Sequence, residues 1–268
     1  MSIKFAIISD VQYCDQEDFK NRMFRDSLNR LQAAVDFLNS ETLDFVVQLG
    51  DFIDNDFDSY KPVLKVWKGL KHRSFHVLGN HDFCVDSSDK EKVAERLGLK
   101  SNYYSFEFAG YKFISLDGND LSLNRFPEKS NGYNDSKTYW ESLNNGSEWW
   151  NGAIGEDQLK WLEDQLNNAE SKVQPVVIFC HFPLLDPERY TLWNSAEVIG
   201  LLNKFSCVKL WVNGHYHQGG FQVKNGINFL TVKGMVEHEK ATFSIVELQA
   251  DSLTVNGFGD EDSRLIKI

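Results

Sequence analysis

The chain groups carboxylate, amide and imidazole side chains in four short segments and places one further histidine by itself. These are Asp10-Val11-Gln12, Gly50-Asp51, Gly79-Asn80-His81-Asp82, Gly214-His215-Tyr216-His217 and the single His181. Their oxygen and nitrogen atoms are ligands of divalent metal ions. Residues i and i+2 of an extended chain point the same way, so Asp10 with Gln12, or His215 with His217, could bind one ion. Any one of these histidines alone would more often be structural, but the whole set predicts a metal site.

Each group follows a short apolar run, and this position decides where the side chains must meet. The runs are 3–9, 45–49, 75–78, 176–180 and 208–212. Short apolar runs that end abruptly in polar residues are typical of buried strands whose carboxyl ends open into a site. Five such ends carrying metal ligands are more than core packing requires.

The segments between these runs predict the class of fold. Apolar residues that recur from Phe24 to Leu38 indicate an amphipathic helix over 20–39. Strand and helix alternate twice before residue 80, which predicts parallel strands with crossover helices. Further on, 104–116 indicates a hairpin, and Asn225-Gly226 is a hairpin turn signal. Strands near 241–249 and 252–257 are expected to be antiparallel.

The stretch from about 118 to 155 is rich in Asn, Ser, Gly and aromatic residues and is too long for a simple connector. We interpret it as a lid over the site. Its aromatic residues could stack on a nucleobase, or they could pack the lid onto the body. These are Phe126, Tyr133, Tyr139, Trp140, Trp149 and Trp150.

Composition limits the choice of partners. The 268 residues are 42% hydrophobic and show no repeat or linker, so we expect a single domain over 1–268. A net charge of −11 argues against nucleic acids and anionic membranes, whereas bound metal ions would still admit a small phosphate-bearing substrate. Four cysteines without CxxC spacing, and no run of membrane-spanning length, favour a cytoplasmic location. The oligomeric state is not predicted.

From residue 3 to about His217 the motifs resemble those of the calcineurin-like metallophosphoesterases: D-x-H/Q, G-D-x-x-D, G-N-H-D/E, a lone His and G-H-x-H. The resemblance implies an α/β fold, a four-layer α/β/β/α sandwich, and a two-metal site. Asp10, Gln12 and His217 would hold one ion, Asn80, His181 and His215 the other, and Asp51 would bridge them. Two ions about 3.5–4 Å apart supply hydroxide near neutral pH. Asn80 and His81 would donate hydrogen bonds to the phosphoryl oxygens, His81 would also be the general acid, and Asp82 would orient His81.

A narrower resemblance covers most of the chain. Asp10-Val11-Gln12-Tyr13, the segment 151–155, Leu192-Trp193-Asn194 and the segment 214–220 are similar to manganese-dependent ADP-ribose/CDP-alcohol diphosphatases. Gln12 stands where the broad family has histidine. An amide oxygen is a harder and weaker ligand than imidazole, which favours Mn²⁺ or Mg²⁺, with Fe or Zn²⁺ also possible. Trp193 and Asn194 are the expected substrate contacts.

The narrower resemblance implies hydrolysis of the diphosphate linkage of a nucleoside diphosphate derivative to a nucleoside monophosphate and a phosphorylated sugar or alcohol. A cyclic-nucleotide phosphodiesterase or phosphomonoesterase would have the same metal ligands and a different lid. A different kind of alternative is that the protein is not an enzyme and serves as a non-catalytic scaffold. The role of Asp54 is left open: it is either a partner of the site residues or an ordinary loop carboxylate.

Overall fold

Strand β1, Ile3–Ile8, lies inside the first of two six-stranded sheets in the computed structural model, which describes residues 2–143 and 146–267. This sheet has the order β14-β13-β12-β1-β2-β3, and β1, β2 and β3 are parallel, as predicted. The other strands are β2 Phe45–Gln48, β3 Ser74–His76, β12 Phe243–Leu248, β13 Ser252–Phe258 and β14 Arg264–Lys267.

The second sheet has the order β10-β11-β9-β8-β5-β4, with β5, β8, β9 and β11 parallel. Both predicted hairpins are confirmed: β4 pairs with β5, and β10 with β11, in antiparallel register. The strands are β4 Tyr104–Phe108, β5 Tyr111–Ser115, β8 Val176–Phe179, β9 Val208–Asn213, β10 Gly220–Lys224 and β11 Ile227–Thr231.

Apolar side chains fill three layers, which produces the predicted α/β/β/α sandwich. Alternate residues of a strand face opposite sides, so Phe5 and Ile7 pack between the sheets against Phe113 and Phe179 of the second sheet, while Ala6 faces helices α1 and α2. Helices α5 and α6 cover the outer face of the second sheet. The helices are α1 Ser27–Leu38, α2 Tyr60–Trp67, α3 Val93–Arg96, α4 Asn131–Ser142, α5 Glu156–Ser171 and α6 Ser195–Leu202.

Two sequence predictions need correction. Helix α1 begins at Ser27 rather than at 20, because Phe19 and Arg22 close a tight turn through two backbone hydrogen bonds and Phe24 packs against Cys14 and Val236 instead of extending the helix. Strand β14 was not predicted. Its register places Ile266 inward and leaves Leu265 exposed, and four residues at a sheet edge give a weak period-2 signal.

The predicted lid contains helix α4 and a two-stranded pair, β6 Leu121–Ser122 with β7 Gly152–Ala153. It is anchored to the body through the side-chain amide of Asn194, whose oxygen accepts a hydrogen bond from the backbone N–H of Ile154 and whose NH2 group donates to the carbonyl of Ile154. Within the described ranges, no helix has the length and apolar character needed to cross a membrane.

Candidate metal centre

The carboxyl ends of five parallel strands meet at one edge of the sandwich and bring the predicted ligands together. Sheet 1 supplies Asp10 and Gln12 after β1, Asp51 after β2 and Asn80 after β3, while sheet 2 supplies His181 after β8 and His215 and His217 after β9. All seven side chains are buried. Polar groups at this depth need partners, since an unpaired buried polar group costs about 1–3 kcal/mol.

Four of these residues adopt a left-handed backbone that side-chain-bearing residues rarely take. Their φ angles are +51° at Asp10, +43° at Gln12, +54° at Asp51 and +65° at His215. Each residue held in this conformation costs the folded state roughly 1–3 kcal/mol, and clusters of such strained residues are typical of functional sites. The turns also need close backbone approach, because a Cβ atom at Gly79 would lie 2.8 Å from the carboxylate carbon of Asp51. The strained backbone and the placement of Gly79 therefore both help to position the predicted ligands.

Asp51 lies between the two groups of ligands. Its Oδ2 is 3.2 Å from Nε2 of His181 and 3.1 Å from the amide nitrogen of Gln12, and its Oδ1 accepts a 2.7 Å hydrogen bond from the backbone N–H of His81. Single ligand atoms of Asp51, His181 and His215 all lie within 4.8 Å of one another. One carboxylate thus contacts residues from both halves of the predicted site.

Hydrogen bonds to the outer nitrogens fix how His181 and His215 face the centre. Nδ1 of His181 donates to the carbonyl of Leu49 at 2.8 Å, and Nε2 of His215 donates to the side-chain oxygen of Asn151 at 2.9 Å. The inner nitrogens, Nε2 of His181 and Nδ1 of His215, are then 3.2 Å apart. Two imidazole lone pairs at this distance repel each other unless a proton or a cation binds them. Such outer partners are typical of metal-ligating histidines.

His217 is held in the same way. Its Nδ1 is 2.9 Å from Oε1 of Glu237, and its Nε2 faces Oδ1 of Asp10 at 3.2 Å and the amide of Gln12 at 3.2 Å. Among residues 2–143 and 146–267, Oε1 of Gln12 is buried without a hydrogen-bond partner, and Oδ1 of Asp10 faces His217 without the geometry of a hydrogen bond. Rotation of the Gln12 amide exchanges its oxygen and nitrogen with little change in shape, which would turn the oxygen towards His217 and Asp51. These donors fit a divalent metal ion.

Opposite charges shift the pKa values of the ligands. Burial would raise the pKa of Asp10, but His217 and His181 outweigh it and lower that pKa to about 2. Burial would lower the pKa of His181 and of His217, but the carboxylates of Asp51 and Asp10 respectively raise each to about 9. Burial and the positive charge of His181 hold the pKa of His215 well below its usual value. In metal-free protein, protons on two histidines balance the buried carboxylates.

The structure corrects the partner of His81. Nδ1 of His81 lies 2.8 Å from Oδ1 of Asp54, not beside Asp82. The Asp82 carboxylate instead accepts hydrogen bonds from the backbone N–H groups of Asp51, Phe52 and Gly79 and from the Tyr60 hydroxyl. In the 310 turn of 81–83 the two consecutive side chains point in different directions, and Asp82 points back into the loops that carry the ligands.

A cavity of about 460 Å³ opens over the centre and is lined by His81, Trp149, Trp150 and Tyr190 among others. The Trp150 ring lies 5.2 Å from His215 and 5.3 Å from Tyr190. Phe126, Tyr133, Trp140 and Trp149 line an adjoining cavity of about 630 Å³. Trp149 thus lines both cavities, whereas Tyr139 belongs to the described lining of neither, and its ring centroid lies 6.5 Å from that of Trp193.

Trp193 and Asn194, the expected substrate contacts, have structural partners instead. Trp193 is 3% exposed and donates its indole N–H to the carbonyl of Glu148. Asn194 bonds Ile154 and also donates to Glu197 in helix α6. Neither belongs to the described lining of the site cavity. Both hold the lid onto the body.

Sequence reasoning missed three partners of the site. Asn151 lies in a segment that carried the narrower resemblance, so a signal was present, whereas Glu237 follows no motif. Arg22 was placed inside a predicted helix, but it lies at the cavity with Nη1 3.4 Å from Nε2 of His81. No pattern in the sequence links 22 or 237 to the strand ends.

The two-sheet sandwich and the histidine- and carboxylate-rich centre at its strand ends define a hydrolase with a dinuclear metal site. The sequence model of the calcineurin-like phosphoesterase family matches residues 3–219. This chain belongs to that family, which confirms the resemblance found in the motifs.

Similar proteins cover nearly the whole chain. A manganese-dependent ADP-ribose/CDP-alcohol diphosphatase of Oryza sativa subsp. japonica is 28% identical over 94% of this chain and 90% of its own length. The Mus musculus protein of the same name is 26% identical, with 98% and 92% covered. The crystal structure of a dimetal phosphatase from Danio rerio superposes with a TM-score of 0.88 at 28% identity, covering 99% of this chain and 98% of that one.

Proposed function

We propose that the protein is a Mn²⁺-dependent diphosphatase that hydrolyses ADP-ribose-like or CDP-alcohol-like substrates to a nucleoside monophosphate and a phosphorylated sugar or alcohol. The observation that carries this proposal is the pair of ligand groups joined by Asp51, beneath a cavity lined by aromatic side chains. The relatives that cover the chain are named for this activity and this metal.

The ligands divide into two sets around Asp51. Asp10, Gln12 and His217 would hold one ion, and Asn80, whose Oδ1 lies 3.2 Å from Nε2 of His181, would hold the other with His181 and His215. When bound, two divalent ions supply hydroxide near neutral pH and neutralise the charge of the phosphoryl oxygens. Oxygen-rich ligands, including the amide of Gln12, favour Mn²⁺ or Mg²⁺ over softer ions.

The remaining residues handle the substrate. His81 is half-buried at the cavity with its Nδ1 against Asp54, so its Nε2 can donate a proton to the oxygen that leaves. Trp149, half exposed, and Trp150 offer faces on which a nucleobase can stack, a contact worth about 1–3 kcal/mol. The cavity of about 460 Å³ is within the usual range for small-molecule sites.

The protein would act as a small-molecule enzyme in the cytoplasm. Cys14, Cys180 and Cys207 are buried thiols and Cys84 is half-buried, and disulfides are absent among the described residues. Buried unpaired thiols favour a reducing compartment. Fractionation of cells with an antibody to the native chain would test this location.

Product-resolved turnover tests the proposed reaction. Chelator-treated protein is incubated with ADP-ribose, a CDP-alcohol or a cyclic nucleotide, with Mn²⁺ or with Mg²⁺, and the products are separated. We expect AMP and ribose 5-phosphate from ADP-ribose, with turnover restored by Mn²⁺. Activity on the cyclic nucleotide without cleavage of either diphosphate would overturn the proposed substrate class and leave the metal centre in place.

A further inference from the structure

We propose that Arg22 forms a second phosphoryl-binding subsite beside His81, which holds the phosphoryl group that departs and so selects diphosphate substrates over esters with one phosphorus. The inference rests on the proposed function. In the hydrolysis, a bond forms between one phosphorus and the oxygen of water. The bridging P–O bond breaks, and the bridging oxygen leaves with its electron pair on the second phosphoryl group, where it takes a proton.

Arg22 lies where that departing group must be. Its Nη1 is 3.4 Å from Nε2 of His81, the ring nitrogen that does not contact Asp54, and its side chain lines the site cavity at 32% exposure. A group protonated by His81 therefore comes within reach of the Arg22 guanidinium. The charge that develops on the departing phosphoryl group would be met by a fixed positive charge.

The guanidinium has hydrogen-bond capacity to spare. An arginine carries five N–H donors and no acceptor. In the part of the chain that the structure describes, the shortest contact between Arg22 and a carboxylate joins Nη1 to Oδ1 of Asp54 at 3.9 Å. This distance is too long for a hydrogen bond. Most of the guanidinium N–H groups are therefore left for an oxygen-rich anion in the cavity, and the planar fork of arginine matches phosphoryl oxygens in pairs.

Other arginines near the site lack this freedom. Arg189 also lines the cavity, but its Nε pairs with Glu148 at 2.8 Å. Arg25, three residues after Arg22, pairs with Asp15 at 2.6 Å and with Glu17 at 2.5 Å and does not belong to the described lining. Arg25 therefore provides a matched control of the same residue type on the same segment.

The backbone holds Arg22 ready for binding. Its N–H and C=O form 3.0 and 3.1 Å hydrogen bonds with Phe19, and the next N–H, of Met23, bonds the carbonyl of Val236 at 3.0 Å. The N–H of Val236 in turn bonds the carbonyl of Asp10 at 3.0 Å. The turn that carries Arg22 is thus tied to the loop that carries a metal ligand, which limits the entropy lost when the side chain binds an anion.

Binding of two nucleotides that are not cleaved tests the subsite. Calorimetry on Mn²⁺-loaded protein gives Kd values for AMP, with one phosphoryl group, and α,β-methylene-ADP, with two, for wild type, Arg22→Met, Arg22→Lys and Arg25→Met. We expect Arg22→Met to raise the Kd of α,β-methylene-ADP by about tenfold or more, because a charged hydrogen bond is lost. The same variant should raise the Kd of AMP by less than about twofold. For Arg22→Lys, the Kd of α,β-methylene-ADP should lie between those of wild type and Arg22→Met, because lysine keeps the positive charge but lacks the planar guanidinium. Arg25→Met should match wild type.

Two results would overturn the subsite. Equal weakening of both nucleotides would mean that Arg22 acts as a general positive charge, and unchanged affinities would mean that it binds neither. Circular dichroism and metal content verify that each variant is folded and loaded. The proposed function is judged separately, since wild type that fails to cleave ADP-ribose refutes the diphosphatase reaction whatever the affinities show.

Discussion

Asp54 Oδ1 lies 2.8 Å from Nδ1 of His81, and this contact orients the imidazole so that Nε2 faces the cavity. Asp54 comes from the loop after β2 and His81 from the turn after β3, so neighbouring parallel strands supply the two members of the pair. The contact settles the question that the sequence left open for Asp54. It also shows that the residue adjacent to His81, Asp82, has another role.

Asp54→Asn should lower kcat by about 10- to 100-fold, a part of the roughly 10²- to 10⁴-fold that general acid–base catalysis contributes. The amide keeps the size of the side chain but loses the negative charge that faces Nδ1 of His81. Steady-state kinetics with ADP-ribose measure the effect, with metal content checked by elemental analysis. Asp56→Asn is the control, because exposed Asp56 caps a 310 turn and Asn caps equally well. Equal kcat for both variants would contradict the role of Asp54.

Tyr60→Phe should destabilise the fold by about 1.5–3 kcal/mol, because it removes one of the four donors from the fully buried Asp82 carboxylate. Tyr111→Phe is the control, since that hydroxyl donates to an uncharged carbonyl, of Gln249, and should cost about 0.5–1.5 kcal/mol. Urea denaturation of metal-free protein gives both free energies of unfolding. The proposed role of Asp82 as the anchor of these loops would be wrong if the control variant were the less stable of the two.

Glu237→Gln should weaken the binding of one metal ion by about 10- to 100-fold, because the carboxylate on Nδ1 fixes the ring and raises the basicity of His217. Titration of chelated protein with Mn²⁺ would show one weakened site and one unchanged site. The nearby exposed Glu239→Gln variant should bind like wild type. Two sites weakened to the same degree would show that Glu237 does not act through His217 alone.

Gln12→His should move metal preference towards Zn²⁺ by about tenfold or more relative to Mn²⁺, since imidazole is a softer donor than an amide oxygen. Competition between the two ions, read by elemental analysis after dialysis, measures the preference. Turnover with each metal gives a second readout. If affinity for Mn²⁺ and turnover both stayed at wild-type values, our explanation of this substitution in the family motif would fail.

The stability of metal-free protein should fall as pH rises. The folded-state pKa values of His181 and His217 are about 9, above the ordinary value of 6.5, so their contribution is complete below pH 6.5 and is lost as pH rises through about 9. We expect a loss on the order of 3 kcal/mol for each histidine across that interval, measured by denaturation in EDTA. His217→Gln should show a shallower loss. Protein loaded with Mn²⁺ should lack this loss, because the ions replace the protons, and a flat profile for metal-free wild type would refute the assignment.

That the predicted ligands would gather within each sheet was readable from the sequence, because each of them follows a buried strand. Parallel strands deliver their carboxyl ends to one edge of a sheet, so Asp10, Asp51 and Asn80 had to approach one another, and His181 had to approach His215, whereas the packing of the two sheets brought the two groups together. Apolar runs and turn signals were sufficient for the parallel strands and both hairpins, whereas the division into two sheets came from the family resemblance. Local patterns failed at Phe24, where a tertiary contact with Val236 replaces a helical one.

Tertiary structure alone decided the contacts around those ligands. Which carboxylate contacts His81 depended on side-chain direction in a 310 turn, and the family motif had suggested Asp82 rather than Asp54. Glu237 reaches His217 from 20 residues away, and Arg22 reaches His81 across 59. The predicted ligands directly follow strands of fixed direction, whereas their partners lie in loops whose paths are set by packing. The sequence by itself therefore predicted which residues lie at the strand ends, and only the fold determined what surrounds them.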